Sequence, residues 1–223
     1  MTKISSVSLY GSNIDPRMVE ASAKVLKKFD IPVTYIKADM VHGEFIDQVC
    51  NSVDADIYFF IDVDCVPTCR SIYDETLNYV IKHNTFIGNA HLANHIPPAR
   101  HVYAGVTFYM ITKDCYNKMG RPSFAPTHRS DTSEEISYIA EEMGIKYKAY
   151  YPTKFDAIPV YGVPWRMGNY GHYGMGTLYA NKIYHLFESR TNLFTDMYIK
   201  RCDEILHDRF DTSNMYDCLN FGK

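Results

Sequence analysis

Residues 57 to 61 read Ile-Tyr-Phe-Phe-Ile, five apolar positions in a row between Asp56 and Asp62. The run is too short for an isolated helix and rich in β-branched and aromatic side chains. It therefore predicts a strand buried on both faces, as at the centre of a parallel sheet. Upstream, Ser6 to Leu9 predicts a first strand, and Asp15-Pro16 offers an N-cap followed by proline at the first helical position. Met18, Ser22, Val25, Leu26 and Phe29 then recur at helical spacing, with Lys24, Lys27 and Lys28 on the wet side. Val33 to Ile36 predicts a second strand, and Phe45, Ile46, Val49 and Val53 the inner face of a second helix. Two βα units thus lead into the central run, and right-handed crossovers lay the three strands parallel.

Downstream, Ser71 is expected to cap a third helix with Tyr73, Leu77, Val80 and Ile81 inward. Phe86 to Ala90 and Val102 to Ile111 predict two more strands, the second interrupted at Gly105, where a ligand or another backbone approaches closely. Asp131-Thr132-Ser133-Glu134-Glu135 opens a helix that buries Ile136, Ile139, Ala140 and Met143 and stops at Gly144. Lys146 to Tyr150 predicts a strand, Lys182 to Phe187 another, and Phe194, Tyr198, Cys202 and Ile205 a closing helix. Between them, Pro152 to Thr177 is studded with glycine and proline and reads as a long functional loop. Its part from Pro164 to Thr177 is expected to be a lid that closes over bound donor and carries His172 toward it, with a rigid packed loop as the alternative. The whole predicts one α/β domain over residues 1–223, a mixed, mostly parallel central sheet flanked by helices.

Length and composition narrow the class. A chain of 223 residues can bury a real core. A net charge of −3 argues against a nonspecific polyanion binder without excluding nucleic acid, since Arg100, His101, His128, Arg129 and Arg166 could form a local phosphate groove. No apolar stretch approaches membrane-spanning length and no signal peptide is evident, so the expectation is a cytoplasmic protein without a membrane partner. The six cysteines form no Cys-x-x-Cys pair, which predicts reduced thiols.

The chemistry concentrates at the end of the central strand. Asp62 and Asp64, at i and i+2, can point the same way while Val63 points back, and the carboxyl ends of strands are where α/β sheets bind ligands. Asp54-Ala55-Asp56 repeats the spelling at the entering end, where a solvated turn is expected. Tyr10, Gly11, Ser12 and Asp39 end the first two strands on the same rim as Asp62 and are candidates to hold a nucleoside. His91 and His95 have the spacing of a helical metal pair but lie outside any helical pattern. Thr132-x-x-Glu135 has capping-box spacing, and Asp131 has the chemistry of an N-cap. Trp165 and Tyr170 can stack on sugar or base rings, or form a satellite core.

A βαβαβ half, a hydrophobic strand ending in Asp-x-Asp and a mixed second half resemble the GT-A type of nucleotide-sugar glycosyltransferase. Three stretches match it in order: Ala104 to Ile111, the acidic pair Glu134-Glu135, and Tyr184 to Arg190. The resemblance implies a nucleotide-sugar-binding half at 1–64 and an acceptor half at 65–223. It implies Mn²⁺ or Mg²⁺ held by Asp62, Asp64 and His185, a catalytic base at Glu135 or Asp131, and a nucleotide-diphosphate sugar, UDP-linked foremost, as donor. Asp62 and His172 would also face the donor's diphosphate. Glu135 stands where the family usually has Asp, and the glycines usual before the pair are missing. The acceptor is expected to be a glycan, as in compact bacterial members, or a hydroxymethylated DNA base, as in bacteriophage members working in the host cytoplasm. Two alternatives stay open: a haloacid-dehalogenase-type phosphatase, with Asp62 as nucleophile and Asp64 as acid/base, and a non-catalytic nucleotide-sugar binder.

Overall fold

Strand and apolar run coincide: Ile57–Ile61 is a strand with every residue buried. The computed structural model describes residues 2–93, 95–97 and 100–222. In chain order its elements are β1 (Ile4–Tyr10), α1 (Pro16–Lys28), β2 (Thr34–Lys37), α2 (His42–Ser52), β3 (Ile57–Ile61), β4 (Cys65–Pro67), α3 (Arg70–His83), β5 (Phe86–Leu92), β6 (Val102–Thr112), α4 (Lys113–Lys118), α5 (Glu134–Glu142), β7 (Lys148–Tyr150), β8 (Pro152–Ala157), β9 (Trp165–Arg166), β10 (His172–Tyr173), β11 (Met175–Tyr179), β12 (Ile183–His185), α6 (Thr195–Leu206) and β13 (Tyr216–Asp217). They form two compact units. The first takes the chain up to Gly11, Thr34–Asp62 and Asp74–Tyr150; the second takes Ser12–Val33, Val63–Tyr73 and Tyr151 onward.

The first unit holds a six-stranded sheet in the order β2-β1-β3-β6-β5-β7. Strands β2, β1 and β3 run parallel, β6 is antiparallel to both its neighbours, and β7 is parallel to β5. This is the mixed α/β architecture expected, mostly parallel and flanked by helices. Its core joins Val7, Tyr58 and Phe60 from the sheet to Ile46, Val49 and Ile136 from the helices. Tyr58 is tolerated there because its hydroxyl donates to the Val53 carbonyl at 2.9 Å. The close neighbour expected at Gly105 is a side chain: a Cβ there would sit 2.5 Å from the His91 ring. His91 lies in β5 and His95 is exposed beyond it, so the pair is not on a helix, and neither belongs to the group that could hold a metal ion among the described residues.

The second unit holds a five-stranded antiparallel sheet in the order β13-β8-β11-β12-β4, together with α1 and α6. Helix α1 is capped by Asp15, which accepts from the Arg17 N–H. At the other end Arg70 donates to the Phe29 carbonyl at 2.7 Å, and Lys28 closes α6 by donating to the Ile205 carbonyl at 2.7 Å. The long loop expected over 152–177 is instead half sheet, in β8, β9, β10 and the start of β11. Strand β11 is buried throughout between β8 and β12. The glycines there permit close approach: a Cβ on Gly174 would lie 2.3 Å from the Ala157 carbonyl oxygen, and one on Gly171 2.1 Å from that of Cys218.

Smaller expectations also shift. Helix α3 begins at Arg70, one residue before the expected cap, and turns Ile72, Tyr73, Thr76 and Val80 inward while Ile81 is exposed. Val53 ends α2 as an exposed C-cap, and Met143 is exposed at the end of α5. All six cysteines are free, as expected. No helix among the described residues is long and apolar enough to cross a membrane.

Candidate functional site

The Asp-Val-Asp segment is pinned at each residue. The Asp62 N–H donates to the Thr107 carbonyl at 3.0 Å, extending the β3–β6 pairing by one step. The Val63 carbonyl accepts from the buried Tyr198 hydroxyl at 3.0 Å. Beyond it the chain enters β4, which pairs antiparallel with β12 so that Cys65 faces His185, and the Leu186 N–H reaches the Asp64 carbonyl at 2.9 Å. That register brings Asp64 and His185 side by side, and a slip of one residue would turn His185 to the other face.

The Oδ1 of Asp64 lies 3.4 Å from Nε2 of His185, with the two side chains 13% and 5% exposed. This oxygen is buried and accepts no hydrogen bond. Burial pushes the Asp64 carboxyl up, but the His185 ring and hydrogen bonds more than offset it, so the group stays below the usual carboxylate range. A buried ionised oxygen whose one near donor is too far for a good hydrogen bond is the kind of atom that a cation satisfies. Asp62 is tied to the pair by the chain itself, since only Val63 separates it from Asp64 and two residues span at most about 7 Å. Asp62, Asp64 and His185 form a group that could hold a metal ion. Two carboxylates and an imidazole suit Mn²⁺ or Mg²⁺, the nitrogen favouring Mn²⁺, with further oxygen ligands to come from elsewhere.

In the first unit, Nε2 of His42 lies 3.4 Å from Oδ1 of Asp62. His42 opens α2, and sequence reasoning passed it over. The one signal was position, three residues past Asp39 on the rim where β1, β2 and β3 all end. Tyr10 closes β1 on that rim, with Gly11 after it, and its carbonyl accepts from the Ala38 N–H at 3.1 Å. Asp39 is exposed just beyond β2, and Ser12 is exposed at the start of the second unit. By contrast, Asp54 is spent on Lys113 at 2.8 Å and Asp56 on the Lys3 N–H at 2.8 Å, so the look-alike triplet serves structure.

The expected base residues sit at the head of α5, where Ser133 takes a positive φ of 67° and confines the helix to residues from Glu134 onward. The capping box over Thr132 and Glu135 does not form. Glu134 takes that role one residue earlier, accepting from the Asp131 N–H at 2.8 Å. Glu135 is held by the Arg129 guanidinium, Nε to Oε2 at 3.1 Å, which keeps its carboxyl below the usual range and weakens it as a base. Asp131 accepts from the Thr132 N–H at 2.7 Å and, loosely, from the Tyr103 hydroxyl at 3.4 Å.

His101 is clasped between Glu134 at 2.9 Å and Glu141 at 3.1 Å. Its ring stacks on Tyr138 at 3.9 Å, beside a cavity of about 350 Å³. Of the five expected basic residues, Arg100, His101 and Arg129 line that cavity together, with His101 and Arg129 paired to carboxylates, while Arg166 belongs to the other unit. His172 lies in β10, its N–H on the Cys218 carbonyl at 2.8 Å and its ring 5.7 Å from Phe221, packed on the C-terminal segment.

No family model matches the sequence, and none of the curated proteins compared matches it. Solved structures do resemble it. A mannosyltransferase from Pyrobaculum calidifontis, in complex with GDP-Man and Mn²⁺, aligns over 66% of this chain and 54% of its own, at 9% identity and a TM-score of 0.48. The 4-diphosphocytidyl-2C-methyl-D-erythritol synthase of Anaerococcus prevotii aligns over 67% and 89%, at 13% identity and a TM-score of 0.44. A CMP:2-keto-3-deoxy-manno-octonic acid synthetase complexed with CTP aligns over 67% and 90%, at 11% identity and a TM-score of 0.42. The likeness is one of fold. At such identities and TM-scores these neighbours say nothing about what the side chains of this chain do.

Proposed function

We propose that the chain is a metal-dependent glycosyltransferase that moves a sugar from a nucleotide-diphosphate sugar to a hydroxyl acceptor. The observation that carries this reading is the buried Asp64 oxygen without a hydrogen bond, set against His185 and two residues past Asp62 at the carboxyl end of the buried strand β3. Asp62, Asp64 and His185 would hold a divalent cation, which when bound neutralises the charge that develops on a departing diphosphate. His42, 3.4 Å from the Asp62 carboxylate, would orient it as outer partners of metal ligands do. Tyr10 stacks on the donor's base, Asp39 accepts from its ribose hydroxyls, and Gly11 and Ser12 leave room for the backbone to approach.

On the acceptor side Asp131 is the better base. Its contact with Tyr103 is long enough for an acceptor hydroxyl to displace, whereas Glu135 is engaged by Arg129 through two hydrogen bonds. The phosphatase reading needs further acidic ligands. Among the described residues the ligating group is Asp62, Asp64 and His185, and a histidine ligand favours the transferase. Incubation with a panel of nucleotide sugars and Mn²⁺ tests the proposal. Slow release of nucleoside diphosphate, abolished by chelator and by Asp64→Asn, is the expected result; phosphate release from a generic phosphomonoester would support the phosphatase instead.

A further inference from the structure

A line of rings within the second unit leads outward from His185. Its imidazole lies 4.4 Å from the Phe187 ring, and Phe187 meets Trp165 at 5.3 Å and Tyr173 at 5.3 Å. Trp165 in turn meets Tyr161 at 6.1 Å. Tyr173 is buried and floors the group, while Trp165 and Phe187 are half-buried. The outer end is open: Val160, Tyr161 and Val163 are 63%, 54% and 61% exposed. A satellite core would close over such residues. Here the rings meet at 60° and 63°, edge against face, while Trp165 and Phe187 stay half-buried and Tyr161 exposed, so part of this aromatic surface is open to solvent.

One charged group is hydrogen-bonded into this surface. The Tyr161 hydroxyl donates to the Glu188 carboxylate at 3.0 Å, and Arg166 alternates to the side of β9 opposite Trp165. An anion at the edge of an aromatic face suits neighbouring sugar hydroxyls, which donate to it, and repels the phosphates of a nucleic acid, which need cations. We propose that Trp165, Phe187 and Tyr161, with Glu188 at the edge, form a subsite for a carbohydrate ring, so that the acceptor is a saccharide rather than a DNA base. The proposal rests on the glycosyltransferase reading for its place beside His185. The apolar face of a pyranose lies on the rings, its hydroxyls reach Glu188, and one end of the sugar is directed toward the metal ligands.

Trp165 is the one tryptophan in the chain, so its emission reports this surface alone. The wild-type protein is titrated with maltotriose, cellotriose, mannotriose and triacetylchitotriose, with no donor present. A saturable emission change with at least one of them is expected, weakened fivefold or more in both Glu188→Gln and Tyr161→Ala, two exposed positions whose substitution leaves the fold intact. No response to any saccharide overturns the proposal, as does a response confined to a hydroxymethylated oligonucleotide or to anionic phosphatidylglycerol vesicles. Calorimetry of nucleoside diphosphate with Mn²⁺ on the same protein separates the two claims. Diphosphate binding without a saccharide response fails the subsite alone, and a saccharide response without diphosphate binding fails the transferase reading alone.

Discussion

Nε2 of His185 and Oδ1 of Asp64 lie 3.4 Å apart in a nearly solvent-free setting, brought together by the pairing of β12 with β4. If the pair serves a cation, metal must stabilise the fold. At about one hundred times its dissociation constant a ligand adds about 2.7 kcal/mol, which for a chain of this size corresponds to a rise in Tm of roughly 5–10 °C. Differential scanning calorimetry should show that rise with Mn²⁺ in the wild type and its loss in Asp64→Asn and His185→Ala. An equal rise in the Asp64→Asn protein would move the metal elsewhere.

His42 contacts Asp62 without being the residue that sequence reasoning chose. If it orients the carboxylate, His42→Ala should weaken Mn²⁺ affinity roughly 10–100-fold, the usual effect of removing such a partner. His42→Asn, which keeps a hydrogen-bonding side chain, should recover part of the loss. Mn²⁺ affinity by electron paramagnetic resonance reads this without any need for turnover, and unchanged affinity in His42→Ala would leave the contact incidental.

His101 predicts a pH dependence of stability. Burial lowers its tendency to charge, yet Glu134 and Glu141 more than offset this, and its pKa is raised. A raised folded-state pKa means the cation is favoured in the native protein. Its contribution is therefore complete below the unfolded value of about 6.5 and disappears as pH rises through the folded value. Tm measured from pH 5.5 to 8.5 should fall across that upper range more steeply in the wild type than in His101→Gln. Parallel curves would show that the clasp contributes nothing.

The segment from Pro164 to Thr177 is expected to behave as scaffold. A Cβ on Gly174 would press on the Ala157 carbonyl oxygen, so Gly174→Ala should destabilise by about 1–3 kcal/mol, the cost of overpacking. Proteolysis after Trp165 or Arg166 should proceed at the same rate with and without nucleoside diphosphate plus Mn²⁺. Protection by the pair together would restore the lid.

What could be read from the sequence followed the strength of local patterning. Five contiguous apolar residues announced β3, and its carboxyl end separated Asp62 from the identical spelling at Asp54. Strands β8 and β11 were missed because their glycines and prolines spelled a loop, when several of those glycines admit backbone at close range, a tertiary fact with no local signal. Helix α5 was read three residues too early because Ser133 adopts a left-handed conformation that its type does not advertise. Within the site, Asp62 and Asp64 were legible from the strand. His185 came only through resemblance, since its meeting with Asp64 depends on a pairing between segments about 120 residues apart. His42 had no signal beyond its place on the rim.

The proposed role of Asp62, Asp64 and His185 is to hold a cation that in turn holds a nucleotide diphosphate. Isothermal titration of UDP and of GDP into the wild type and Asp64→Asn, each with Mn²⁺ and with chelator, tests it most directly. The account predicts that at least one nucleotide binds the wild type with Mn²⁺, at least tenfold more weakly under chelator, and that Asp64→Asn binds no better with Mn²⁺ than without. Binding of equal strength in wild type and Asp64→Asn, indifferent to Mn²⁺, would contradict it.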